Sequence, residues 1–352
     1  VVTRKVTRVP WRALDDFTRK VLEKGGLSRE HAAIVADNLG QANLRGVDTH
    51  GVGLLPNYYR RLVSGGINPE PNVRVVKESP AALLVDGDAG PGQVATHYAM
   101  RRAIEKARAS GVGWAQVMNS NHHGALAYFS LMAAEEDMIG ITVTGAFPSM
   151  APWGGKVRML GNNPMAIAAP VEGERPLVLD MAMSVRAQGQ LRLAEERGVP
   201  LDEGQALDAA GVPTRDPKAA AKGSLLPFGT YKGFGLALML ELMAAVMSGA
   251  PHTTQLNALG RDSSPSRVGH TVAALNIAYF TDVRSFKAEA AAIVKELRAS
   301  PRRAGFDDIL MPGEKEWRYM ADREANGVPI HEGSLKILQA LGREAGVPFP
   351  VA

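Results

Sequence analysis

The chain has 352 residues, long enough at roughly 100–200 residues per domain for two domains, or two and a small third. Lys and Arg number 40 against 36 Asp and Glu, so the net charge is only +4, and interspersed charge of this kind lacks the basic stripe of a nucleic-acid binder. The absence of cysteine excludes disulfides, thiolate metal sites, iron–sulfur clusters and a Cys nucleophile, and fits a reducing cytoplasm.

Arg4, Lys5 and Arg8 near the N-terminus precede no apolar run of a secretory signal, and no stretch approaches the ~18–20 uninterrupted apolar residues of a membrane span. Leu14, Phe17, Val21 and Leu22 recur at helical spacing up to Gly25-Gly26, and a second helical pattern runs from about Glu30 to Leu39, so the first ~70 residues read as helical. From Val73 the chain alternates. Val73–Val76, Ala82–Val85, Gly113–Met118, Ile139–Thr144, Met165–Ala169 and Leu177–Leu179 read as strands, with helices at Tyr98–Ala109 and Leu126–Glu136. Between Ser184 and Phe228 the pattern is irregular and rich in Gly, Pro, Asp and Ala, as expected of an excursion from the sheet. An apolar helix follows from Tyr231 to about Met247; its segment Phe234–Val246, interrupted by Glu241, reads as buried. Thr271–Phe280 reads as a last strand, and Phe286–Arg298, Glu314–Arg323 and Gly333–Arg343 as helices. The expected fold is α/β. Residues 1–72 and 285–352 form a helical domain, and 73–284 a sheet-containing domain with its excursion at about 184–228.

Gly87-Asp-Ala-Gly-Pro-Gly92 has the wrong spacing for a phosphate-binding glycine loop, and Pro91 removes an amide such a loop needs. There is no GxxxxGK[ST], no GxSxG elbow and no HExxH. Three other settings carry candidate chemistry. In Arg45-Gly-Val-Asp-Thr-His-Gly51, Thr49 and His50 occupy a Gly-flanked turn suited to touching a substrate oxygen or cofactor; a capping pair with a surface histidine is the alternative. Asn119-Ser-Asn-His-His-Gly124 lies where a strand gives way to a helix, a place where α/β proteins put ligands and where free helix-start amides attract anions. Gly124 there permits close approach of a ligand. Adjacent histidines point in different directions, so one of His122 and His123 is the chemical residue and no metal pair is expected. Tyr231-Lys-Gly-Phe-Gly235 puts a lysine at a helix start, which the macrodipole disfavours unless an anion is bound; a solvated Lys232 is the alternative.

Taken in order, Gly46-Val-Asp-Thr-His-Gly-Val52, Asn119-Ser-Asn-His122, Ala151-Pro-Trp-Gly-Gly155, Leu160-Gly-Asn-Asn-Pro164, Leu179-Asp-Met-Ala182, Lys232-Gly-Phe-Gly-Leu236, Ser248-Gly249 and Leu310-Met-Pro-Gly-Glu314 resemble the malate/L-lactate dehydrogenase family. The resemblance implies interconversion of a 2-hydroxy and a 2-oxo acid with NAD(H) or NADP(H), on a cofactor domain unlike the Rossmann fold, in a homodimer. It makes His122 the acid/base, and sets His50 and Thr49 at the substrate and nicotinamide. Cofactor contacts are implied for His50, Gly124, Ala125, Leu126, Val178, Leu179, Asp180, Met181, Ala182, Tyr231, Lys232, Gly233, Met311, Pro312, Gly313 and Glu314, with Lys232 as a holder of pyrophosphate or ribose.

Three positions depart from the family's wording. Leu54, at a substrate-side position, replaces an arginine that many members carry; Gly53-Leu-Leu-Pro56 is similar to the hydroxycarboxylate dehydrogenase branch, which makes malate a poor first guess. Thr144-Gly-Ala146 lacks two polar side chains, and Met183 replaces a hydroxyl. A cyclic ketimine reductase and a silent dinucleotide-binding homologue are the competing readings.

Overall fold

The computed structural model describes residues 6–256 and 263–350; Arg4 and Lys5 lie outside them. The chain opens with strand β1 (Val6–Val9), then helices α1 (Trp11–Lys24), α2 (Arg29–Leu44) and α3 (Leu55–Val63). Ser28 caps α2 by accepting from the His31 amide at 3.2 Å. Next come β2 (Arg74–Glu78), β3 (Ala82–Asp86), α4 (Gly92–Ser110), β4 (Val112–Ser120), α5 (Ala127–Ala134) and β5 (Met138–Thr144). Short strands β6 (Pro148–Met150) and β7 (Leu160–Gly161) precede the hairpin of β8 (Met165–Ala169) and β9 (Leu177–Met181). The segment from Ser184 is not irregular throughout: it holds α6 (Gln188–Arg197), β10 (Ala206–Leu207), β11 (Pro213–Thr214), α7 (Pro217–Lys222) and β12 (Ser224–Leu225). Then follow α8 (Tyr231–Glu241), continued by a π turn over Leu242–Val246, β13 (Val268–Asn276), α9 (Val283–Ala299), α10 (Glu314–Asn326), β14 (Val328–His331) and α11 (Glu332–Ala345).

The main sheet has seven strands in the order β2-β3-β4-β13-β5-β8-β9. Only its β3–β4 pair is parallel. A Rossmann sheet is parallel, so this is a different solution, and the missing glycine fingerprint follows from it. A second sheet, β11-β10-β12-β6-β7, takes three of its strands from the excursion. These strands are two residues long with little alternation to read, which is why the sequence shows only a Gly- and Pro-rich stretch. Among the described residues no helix is long and apolar enough to cross a membrane.

Leu14, Phe17, Leu22 and Leu39 from the first helices share a core with Val328, Ile330, Leu338 and Leu341 from the last elements, while β1 pairs antiparallel with β14. Burying each such side chain contributes about 1.5–3 kcal/mol. A separate core, with Val85, Met100, Val117, Phe129 and Val272, lies between the main sheet and α4 and α5. Met183 falls in a third, with Met150, Leu225 and Leu240, so its thioether fills apolar volume where a hydroxyl would be stranded. The reading of Phe234–Val246 as a buried helix is corrected: Ala237 and Leu240 are buried, but Leu238, Met239, Leu242 and Val246 are 42%, 55%, 43% and 56% exposed. The sequence supplies apolar residues all round this helix, and the protomer covers only one side of it.

Candidate active site

The turn after β4 is fixed by Asn121, which is wholly buried. Its amide donates to the carbonyls of Ala89 and Gly90 at 2.6 and 3.0 Å, and its Oδ1 accepts from Arg61 at 3.1 Å and from the Ser266 amide at 3.0 Å. Gly92, at the start of α4, packs against the backbone of Asn121 and His122 so closely that a Cβ would collide with both. The Gly87–Gly92 segment therefore holds the histidine turn and is not a phosphate loop.

His122 is gripped at one nitrogen. Its Nδ1 lies 2.5 Å from the Tyr58 hydroxyl and 3.3 Å from the Gly124 amide, which donates to it. Gln93 donates to the same hydroxyl at 3.0 Å. The Tyr58 hydroxyl is thus held between Gln93 and Nδ1, with donor and acceptor at the Nδ1 contact set by the ring tautomer, and Nε2 is the nitrogen left clear of this contact. Burial, with the nearby His50 and His270 rings, pushes the His122 imidazole down to about 3, so it is neutral at ordinary pH. Burial raises the Tyr58 phenol, which keeps its proton.

His50 stacks on His122, with ring centroids 5.7 Å apart and planes 17° from parallel. Its Nδ1 is 3.1 Å from Thr49 Oγ1, and burial lowers its pKa. The short turn carrying both residues is anchored by Asp48, which accepts two hydrogen bonds from Arg323 of α10 and one from Asn43 at 2.7 Å. His123 points the other way. It stacks on His270 at 4.2 Å, and His270 spans Thr144 at 2.7 Å and Ser120 at 3.1 Å. Thr144 therefore serves a buried histidine.

Thr49 and His50 line a cavity of about 410 Å³ together with Ala125, Leu126, the whole run Val178–Ala182, Pro312 and Gly313. Gly313, at φ +87°, packs against Val178, whose amide donates to the Pro312 carbonyl at 3.0 Å; this clamps the loop to β9. The Asp180 carboxylate accepts from the Ala127 amide at 2.9 Å, so the anion at the start of α5 is the protein's own. Enclosure pushes that carboxyl up to about 6 against the pull of the Ala127 amide and Arg45.

Other expected residues lie outside the cavity wall. Leu54 packs against the helical core. Gly124, at φ +77°, leaves the space that the Asn38 side chain occupies. Met311 is buried, and Glu314 opens its helix with a carboxylate that accepts from the Met311 amide at 3.1 Å and pairs with Arg298 and Arg318. Tyr231 and Lys232 are exposed, and Gly233 packs on Phe228. Sequence reasoning missed Tyr58, Gln93 and Arg61, which act from other elements. It also missed Arg45, Asn162 and Glu316 on the cavity wall, although Arg45 and Asn162 stand inside motifs it had singled out.

The largely antiparallel sheet thus sets the buried His122 behind His50, on a cavity walled by β9 and a clamped loop, in an arrangement that is not a Rossmann fold. The chain belongs to the malate/L-lactate dehydrogenase family, whose description matches residues 9–339. It is 40% identical to the malate dehydrogenase of Pyrococcus abyssi over 98% of this chain and 97% of that one. It is also 40% identical to the L-sulfolactate dehydrogenase of Methanocaldococcus jannaschii, over 93% and 94%. The structure of malate dehydrogenase from Pyrococcus horikoshii superposes with a TM-score of 0.91 at 37% identity, covering 98% and 97% of the two chains. Membership makes the chain a nicotinamide-dependent oxidoreductase of 2-hydroxy and 2-oxo acids.

Proposed function

We propose that this chain interconverts a 2-hydroxycarboxylate and a 2-oxocarboxylate using NAD(H) or NADP(H), with His122 taking the hydroxyl proton in oxidation and returning it in reduction. The observation that carries this reading is the grip of Tyr58 and Gly124 on Nδ1, which reserves Nε2 of His122 for a substrate beside His50. A bound nicotinamide supplies or accepts the hydride. The cavity suits such a group: it offers an orphaned buried guanidinium nitrogen, the Asp180 carboxyl and apolar walls from Leu126, Val178 and Pro312. Val178–Ala182 and Pro312–Gly313 hold the dinucleotide, and Thr49 and His50 face the reacting carbon.

Tyr58 serves both protonation states. In oxidation the neutral ring carries its hydrogen on Nδ1, directed at the Tyr58 hydroxyl, which leaves the Nε2 lone pair to take the substrate proton; in reduction Nε2 returns it while Nδ1 keeps its bond to Tyr58. Leu54 brings no cation to the substrate carboxylate, so the substrate range has to be read by experiment.

Lys232 lies outside the cavity of its own protomer. The exposed apolar side of α8 that it begins supports a homodimer in which a second copy covers this face and Lys232 meets the partner's dinucleotide. The mass in solution by light scattering is the direct check. The cysteine-free, near-neutral composition supports a cytoplasmic setting without nucleic acid.

The test is absorbance at the NAD(P)H band across a panel of 2-oxo acids, with one or two acidic groups and with bulky side chains, and of cyclic imines. Turnover of 2-oxo acids is expected, and His122→Ala lowers it by about 10²–10⁴-fold. Turnover of imines alone assigns a ketimine reductase. Undiminished turnover in His122→Ala removes the role given to that residue, and binding without any turnover assigns a silent homologue.

A further inference from the structure

We propose that Arg45 is a phosphate anchor of the dinucleotide, an inference that rests on the dehydrogenase reading. Arg45 ends α2 and is only 5% exposed, yet its Nη1 has no hydrogen-bond partner. Other buried arginines of the same layer are engaged by the fold. Arg61 donates to the Gly66 carbonyl, Asn121 and Ser266, and Arg323 takes both oxygens of Asp48. Arg45 instead lies over the Trp317 indole, its Cζ 4.2 Å from the ring centroid. That indole is fixed in turn by donating from Nε1 to the Pro176 carbonyl at 3.0 Å.

The guanidinium is therefore oriented before any ligand arrives, and it borders the cavity lined by Asp180, Pro312 and Gly313. A buried cationic donor without an acceptor is costly, and a charge-assisted bond to an oxyanion returns that cost. The cofactor carries such oxyanions in its pyrophosphate and, in the phosphorylated form, at the 2′ position. Burial weakens the basicity of Arg45, while Glu316 and Asp180 restore part of it, and an arginine stays protonated throughout.

The measurement is equilibrium binding of NADH and NADPH by fluorescence at low and high salt, without substrate, in the wild type and Arg45→Met, alongside thermal melting. Arg45→Met is expected to raise Kd about tenfold or more and to flatten its salt dependence, with the fold intact. Equal weakening of both nucleotides places the contact at the pyrophosphate, and weakening confined to NADPH places it at the 2′-phosphate. Unchanged Kd for both in a folded variant overturns the proposal and leaves the dehydrogenase reading standing. A wild type that binds neither nucleotide removes that reading itself. Should Arg45→Met fail to fold, Arg45→Gln, which keeps a planar donor over the indole without the charge, carries the same expectation and the same refutation.

Discussion

Tyr58, held by Gln93, engages Nδ1 of His122, which under the proposed function turns Nε2 to the substrate, and neither residue is adjacent to His122 in sequence. Removing the hydroxyl in Tyr58→Phe leaves Nδ1 with the Gly124 amide alone, at 3.3 Å. A hydrogen bond to a group that becomes charged in the reaction is worth about 1.5–3 kcal/mol, so kcat should fall roughly 10- to 100-fold with KM little changed. A purely packing role for Tyr58 would leave the pH profile where it was, and this is the measurement to make. The free-base form of His122 persists above its own pKa. Since that value is about 3 against an ordinary 6.5, oxidation of the hydroxy acid by the wild type should hold its rate as pH drops through 6.5 and decline only well below it. An inflection at 6.5 would show that the working histidine is not the buried one. The histidine was legible as a candidate because it sits between a strand and a helix in a run of polar residues. Tyr58 was not, because nothing in Leu55-Pro-Asn-Tyr-Tyr separates a hydroxyl aimed at the site from one aimed into the core.

Helix α8 shows how an element's composition can mislead about its surroundings. The apolar run from Phe234 to Val246 reads as buried because periodicity cannot tell an apolar face covered by its own chain from one covered by another. If a second copy covers it, Met239→Lys should shift the protein toward the monomer mass in light scattering, and the cofactor affinity should fall with it. A wild type that is monomeric at micromolar concentration would sink the pairing. Most helices and the longer strands were legible from spacing and from turn residues such as Gly25-Gly26 and Ser79-Pro80. Strands β1 and β14 were not. Each is four residues long, and their pairing partners lie at opposite ends of the chain. The cavity was legible in part for the same kind of reason. Val178–Ala182 is one continuous segment and could be found as a motif, whereas Glu316 contributes a single side chain from a helix that reads as solvated.

At the scale of the whole molecule, three neutral histidines packed about one sheet end make the fold acid-sensitive. Burial pushes His270 down to about 3 and His123 well below its ordinary value, and both are essentially inaccessible. The unfolded chain binds their protons below about 6.5 while the folded one does not. The stabilisation is thus complete above pH 6.5 and is lost as pH falls toward 3, by about 1.4 kcal/mol per pH unit for each fully buried ring. Denaturant midpoints should hold from pH 7.5 to about 6.5 and decrease from there to pH 5, and a profile flat over the whole range would contradict the buried neutral assignment. The β1–β14 ladder bears on how the molecule is made. Val6 pairs with His331 and Val9 with Val328, so the helical layer cannot close until nearly all of the chain has left the ribosome. The main sheet already has every strand by Asn276. Synthesis therefore allows the His122 turn to form on its sheet while α10, which supplies Arg323 to the His50 turn, is still incomplete.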